Sequence, residues 1–233
     1  MSSIVNLRKP VSVGFRNATR FQQALTAPIE RELLLWLARR TPACVSPDHL
    51  TALGFAGQLL AGASYALARW HKYGLLLASF FIAVNWLGDS LDGTLARHRN
   101  QLRPRYGFYV DHMVDTFGAS FLMLGLAISN YLHWQIALGM LVAFLVLSVE
   151  TYLATYTLSD FRLSHGPFGP TEIRILLVIG NIALIFHPYA HLLEREFLLF
   201  DVGGTIAIAG MLVMAIAATV RHTVRLYREE RLS

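Results

Sequence analysis

Beyond about residue 45 the chain alternates between long apolar runs and short polar breaks. The runs cover about Leu50–Ala68, Tyr73–Ala96, Tyr106–Ala127, Gln135–Thr157, Glu172–Phe186 and Val202–Val220. Most approach the roughly twenty residues that carry a helix across a bilayer. The breaks hold Arg69, His71 and Lys72, then Arg97 to Arg105, then Tyr131 to Trp134, then a Gly/Pro/Ser-rich stretch from Leu158 to Pro170. This pattern predicts an all-α integral membrane protein with six transmembrane helices. Ahead of the first run, TPACVSPDHLT (Thr41 to Thr51) reads as a turn and a helix start, with Pro47 in the first turn. From Phe21 to Arg40 the apolar residues Ile29, Leu33, Leu34, Trp36 and Leu37 gather on one side, and Glu30, Arg31, Glu32, Arg39 and Arg40 make the polar face. That segment is expected to be an amphipathic helix, lying in the membrane interface or packed on the rest of the protein. The expected organisation is a basic arm over 1–20, a juxtamembrane helix over 21–44, a six-helix membrane domain over 45–220 and a charged tail over 221–233.

Composition agrees: 55% of the 233 residues are hydrophobic and 15% charged, too apolar for an ordinary soluble domain. The net charge of +5 therefore reports topology before it reports partners. A nucleic-acid partner would call for a basic stripe on a soluble fold, and the sequence has none. Cys44 is the only cysteine, which excludes an internal disulfide and a cysteine-based zinc site. No signal-peptide core is evident near the start, so the first span is expected to act as the insertion signal. With the N-terminus inside, 17 of the 20 Lys and Arg fall on the inner side of the six-span arrangement. The positive-inside rule thus puts both termini in the cytoplasm, across a bacterial inner membrane or its equivalent.

This topology brings out one stretch, DSLDGTLARHRNQLRPRYGFYVDHMVD, Asp89 to Asp115. Asp89 and Asp92 are three apart near the cytoplasmic end of the second span; Asp111 and Asp115 are four apart near that of the third. Each pair shares a helix face. On antiparallel neighbouring helices the four would converge, and their repulsion would be relieved by divalent cations held in an all-oxygen shell, such as Mg²⁺, Mn²⁺ or Ca²⁺. Two such ions form a clamp suited to displacement at phosphorus. Gly93, Ala96 and Gly107 lack bulk and admit a flat ligand, Arg97 can grip phosphate oxygens, and Arg99, Arg103 and Arg105 make the mouth attractive to anions.

Asp89, Asp92, Gly93, Ala96, Arg97, Gly107, Asp111 and Asp115 together spell DxxDGxxAR, nine residues, then GxxxDxxxD. This resembles the signature of the CDP-alcohol phosphotransferases, also called CDP-alcohol phosphatidyltransferases. The resemblance implies that Asp89, Asp92 and Asp111 bind two metals, Mg²⁺ or Mn²⁺, with Asp115 near them as general base. It implies that Gly93, Ala96 and Gly107 line the cytidine nucleotide and that Arg97 contacts the diphosphate. The implied reaction is attack by an acceptor hydroxyl on the β-phosphorus of a CDP-linked donor, releasing CMP, in phospholipid biosynthesis. At least one substrate would be a lipid, and a homodimer is expected. Pro47 and Thr51 resemble the family's Pro-Asn-x-x-Thr motif, but Asp48 stands where asparagine is usual.

The alcohol is less legible. His112 beside Asp111, and GPTE from Gly169 to Glu172, lean toward the choline/ethanolamine phosphotransferase branch, with Glu172 facing a cationic head group. Glu172 equally suits a helix N-terminus. Arg103 and Arg105 suit an anionic acceptor, such as glycerol phosphate or inositol phosphate. Glu150, within the fourth span, is expected to hydrogen-bond across helices. Two other classes use the same aspartates: a divalent-cation transporter, which wants polar residues through the membrane's depth, and an inactive scaffold, which has no need of Asp115.

Overall fold

A computed structural model describes residues 27–158, 169–192 and 194–231. The arm expected over 1–20, and most of the Gly/Pro-rich loop, fall outside them. The described residues form α1 (Ala27–Arg40), α2 (Pro47–Ala68), α3 (Tyr73–His98), α4 (Pro104–Ile128), α5 (Trp134–Leu158), α6 (Pro170–Phe186), a hairpin of β1 (Tyr189–Leu192) and β2 (Arg195–Leu198), and α7 (Leu199–Glu229). The six expected spans correspond to α2 through α7. Of these, α2, α3, α5 and α7 are long and apolar enough to cross a membrane. Asp111, His112 and Asp115 dilute α4, and α6 has only 17 residues.

Local chemistry sets the helix ends. Ser46 caps α2: its hydroxyl accepts the His49 N–H at 3.2 Å, while His49 Nδ1 accepts the Ser46 N–H at 3.2 Å, with Pro47 in the first turn. α3 ends where Asn100 turns left-handed at φ 54°. The Gln101 N–H then reaches the Ala96 carbonyl at 2.8 Å and the Asn100 N–H that of Arg97 at 3.2 Å, which occupies carbonyls the helix leaves open. At the start of α6 the Gly169 N–H donates to Glu172 Oε2 at 2.9 Å.

α2 is the packing centre. It lies against both α3 and α4, while α6 and α1 pack on α3, and α5 packs on α4 and α7. Glycines make the close approaches. A Cβ at Gly88 would overlap the backbone of Gly54, one at Gly57 would stand 2.8 Å from the Asn85 nitrogen, and one at Gly125 would overlap the Gly62 carbonyl. Such small-residue contacts are how helices pack tightly in lipid. Tyr65, Leu75, Leu126 and Leu184 are fully buried around this seam. One polar chain crosses it: the Tyr65 hydroxyl donates to Asn181 Oδ1 at 2.9 Å, and Asn181 Nδ2 donates to Ser79 Oγ at 3.0 Å.

Between α6 and α7, Tyr189 to Leu192 pairs antiparallel with Arg195 to Leu198 around Glu194 at φ 62°. Three expectations need correction. α3 and α4 do not form a packed pair; each leans on α2, whose glycine row claims both. The charged tail is no separate element up to Glu229, since α7 runs 31 residues without a break. In α1 the packed stripe is Glu30, Leu34 and Ala38, whereas Ile29, Leu33 and Trp36 face outward. The amphipathic pattern puts Glu30 on the polar face. It is buried, because it shares a stripe at i, i+4 spacing with Leu34 and Ala38.

Candidate active site

Because α3 and α4 are held apart by their separate contacts with α2, their acidic faces look onto shared space. Asp115 there lies within electrostatic reach of Asp89, Asp92, Asp111 and Arg174. The four aspartates expected to converge are thus brought to one locality, with a cation from α6 among them.

Three of the four carboxylates have named neighbours. Thr51 Oγ1, on α2, donates to Asp92 Oδ2 at 2.6 Å, and Asp92 Oδ1 takes the Gly93 N–H. The Thr51 of the Pro-x-x-x-Thr lead-in therefore orients a site residue across 41 positions of sequence. Arg174 Nη2 donates to Asp89 Oδ2 at 2.6 Å, and its Nε to Asn85 Oδ1 at 2.9 Å. Asn85 in turn donates to the Gly54 carbonyl at 2.9 Å, which locks this polar ladder to the α2 seam. Asp111 lies beside His112, whose Nδ1 is 3.9 Å from Asp111 Oδ2 and 2.6 Å from the Phe108 carbonyl. The His112 ring sits between Phe108 and Tyr152, with centroids at 4.1 and 4.5 Å.

Of the expected nucleotide positions, Ala96 is buried, Gly93 is half-buried and Gly107 is exposed. A Cβ added at Gly107 would meet nothing within 4 Å, so no protein packing requires a glycine there. Arg97 is exposed and donates to Thr94 Oγ1 at 3.1 Å. Among the mouth arginines, Arg103 pairs with Asp48 and stacks on Tyr106 at 4.2 Å, while Arg105 is exposed. Arg99 belongs elsewhere: it donates to the carbonyls of Thr41, Pro42 and Val45, tying the end of α3 to the turn before α2. Glu172 is buried as the cap of α6. Glu150 bonds across helices to His222 Nδ1 at 2.6 Å, as expected of it.

The donor set, carboxylates with a threonine hydroxyl nearby, is the chemistry that hard divalent cations prefer. Among the described residues no three acidic, histidine or cysteine side chains are drawn together at ligand distance. The residues therefore fit such ions by donor type and locality, and loading would involve side-chain closure. Sequence reasoning missed Arg174. Its signal was available: an arginine one turn inside an apolar run is expensive unless it faces a partner.

Comparison with known proteins bears on what this arrangement does. The CDP-alcohol phosphatidyltransferase family pattern matches residues 44–221. The chain is 28% identical over 146 residues to the archaetidylinositol phosphate synthase of Pyrococcus horikoshii, covering 61% of this chain and 71% of that one. It is 31% identical over 146 residues to an uncharacterized protein of Aquifex aeolicus, covering 60% and 69%. A crystal structure of Mycobacterium tuberculosis phosphatidylinositol phosphate synthase with CDP-DAG bound matches at TM-score 0.49 and 22% identity, over 87% of this chain and 92% of that one. The same enzyme in complex with manganese and citrate matches at TM-score 0.48. The chain belongs to the CDP-alcohol phosphatidyltransferase family. It is an integral membrane transferase of phospholipid biosynthesis, passing a substituted phosphate from a CDP-linked donor to an acceptor hydroxyl. That membership displaces the transporter reading.

Proposed function

We propose that the enzyme uses a CDP-linked lipid as donor and a phosphorylated polyol as acceptor, with Asp89, Asp92 and Asp111 holding two divalent cations and Asp115 as base. One observation carries the location: Asp115 stands among three further carboxylates and Arg174. The cations would neutralise that acidic cluster and the donor diphosphate. Gly93, Ala96 and the open space at Gly107 receive the cytidine nucleotide, and Arg97 grips the diphosphate. Asp115 takes the proton of the acceptor hydroxyl as its oxygen attacks the β-phosphorus. The anhydride bond breaks and CMP leaves with the bridging oxygen.

The acceptor reading rests on where charge is exposed. Glu172, the feature that suggested a cationic head group, is buried and capping a helix, whereas Arg103 and Arg105 are exposed at the mouth. A relative that makes archaetidylinositol phosphate points the same way. The leaning toward the choline/ethanolamine branch gains no support from these features.

We further propose six spans, α2 to α7, with both termini and the site on the cytoplasmic side, and a homodimer. α1 would lie along the interface, its exposed Ile29, Leu33 and Trp36 toward lipid and Arg40 stacked on Trp36 at 4.1 Å.

The test is a screen of purified protein with Mn²⁺, scoring CMP release and identifying products by mass. CDP-diacylglycerol, its archaeal ether analogue and CDP-choline serve as donors; inositol phosphate, glycerol phosphate and diacylglycerol serve as acceptors. CMP is expected only with a lipid donor and a phosphorylated polyol. CMP from CDP-choline and diacylglycerol would reverse the substrate assignment, and none in any pairing would defeat the mechanism.

A further inference from the structure

Glu30 is a buried carboxylate, 8% exposed, on the helix before the first span. Its Oε1 accepts three hydrogen bonds: from Trp86 Nε1 at 2.9 Å, Ser90 Oγ at 3.0 Å and Thr171 Oγ1 at 2.9 Å. Two donors are one turn apart on α3 and the third is on α6, so a single oxygen joins three helices. Its Oε2 is buried and has no hydrogen-bond partner among the described residues.

Burying a carboxylate with half its capacity unused is costly. Simple attachment of α1 does not call for it. Leu34 and Ala38 already bury the same stripe against Leu50, Leu91 and Leu95, and a leucine at position 30 would extend that contact without desolvating a charge. What an apolar residue cannot do is specify rotation. Trp86 and Ser90 lie on one face of α3, and holding both to a fixed point sets the angle of that helix about its axis.

That angle matters because Ser90 is next to Asp89. Thr171 is three residues before Arg174, whose Nη2 holds Asp89 Oδ2 at 2.6 Å. The contacts close a ring: Glu30 to Ser90, along the backbone to Asp89, across to Arg174, along α6 to Thr171, and back to Glu30. We propose that Glu30 is a positioning residue for the acidic site, fixing the rotation of α3 against α6 and so the direction in which the Asp89 carboxylate points. The juxtamembrane helix is thereby part of the site's framework. Supports behind a metal ligand commonly change metal affinity about ten- to a hundredfold when removed.

The inference rests on the reading that the aspartates bind divalent cations, and Mn²⁺ titration of the full-length purified protein separates the two. Free Mn²⁺ is followed by electron paramagnetic resonance, with thermal unfolding measured on each sample. Glu30→Leu is expected to weaken Mn²⁺ binding about tenfold, and Glu30→Gln, which keeps an acceptor oxygen for the three donors, to restore most of it. Leu34→Ala should lower the unfolding temperature with Mn²⁺ affinity unchanged. Should Glu30→Leu not fold, the double variant Ser90→Ala/Thr171→Val leaves α1 in place and should still weaken Mn²⁺ binding severalfold. Wild-type affinity in both Glu30→Leu and the double variant, or an equal loss in Leu34→Ala, would overturn the positioning role. No Mn²⁺ binding by the wild type would instead overturn the cation site, and the role with it.

Discussion

The seam along α2 and the mouth near α4's start both use glycine, for opposite reasons. At Gly57, Gly62, Gly88 and Gly125 a methyl group would collide with the backbone of a neighbouring helix. At Gly107 it would collide with nothing. The seam glycines are demanded by the protein's own packing, and the mouth glycine is not. The acidic cluster is held from the seam side, by Thr51 on Asp92 and by the Asn85–Arg174 pair on Asp89.

The contrast predicts three substitutions with separable readouts. Asp115→Asn should lower CMP release about 10³-fold, as loss of a general base does, and leave the unfolding temperature unchanged. A comparable loss of fold would mean the acidic cluster is architecture. Gly125→Val should do the reverse. Forcing α2 and α4 apart costs about 3 kcal/mol, read as a lower unfolding temperature in detergent, with near-normal turnover per folded molecule in the cold. If Gly125→Val unfolds no more easily than wild type, the seam is looser than its backbone contacts imply. Gly107→Val, the smallest effect, should raise KM for the CDP donor about tenfold without altering stability; an unchanged KM would remove Gly107 from the nucleotide pocket.

Much of this arrangement was legible in the chain. Hydropathy placed α2 to α6 to within about three residues at each end but stopped nine short of the end of α7, since apolar length and Pro or Gly punctuation are local signals. The aspartates were legible because charge in an apolar run has few structural uses. What escaped was choice of partner. Nothing in the apolar periodicity of α3 and α4 says that both face α2. The row Gly54, Gly57, Ala61 and Gly62 was a hint, being a small-residue stripe with two sides to offer. Glu30 escaped for a related reason: an amphipathic pattern reports which residues are polar, and burial is decided by donors on other helices, here Trp86, Ser90 and Thr171. Arg99 and Arg103 look alike in sequence, yet one fastens a turn through three carbonyls and the other stands at the mouth on Asp48. The hairpin at Tyr189–Leu198 was too short for its alternation to stand out.

The left-handed residue that ends α3 bears on how relatives of this protein can diverge. Asn100 at φ 54° sets the direction in which the chain leaves Arg97 and runs toward Arg103. Glycine takes that conformation freely and aspartate or histidine less well, and a β-branched residue resists it. Across descendants of this sequence, position 100 should therefore drift within that narrow set even though its side chain faces water. The spacing between the two halves of the signature would be inherited through a backbone angle, with no catalytic group to guard it.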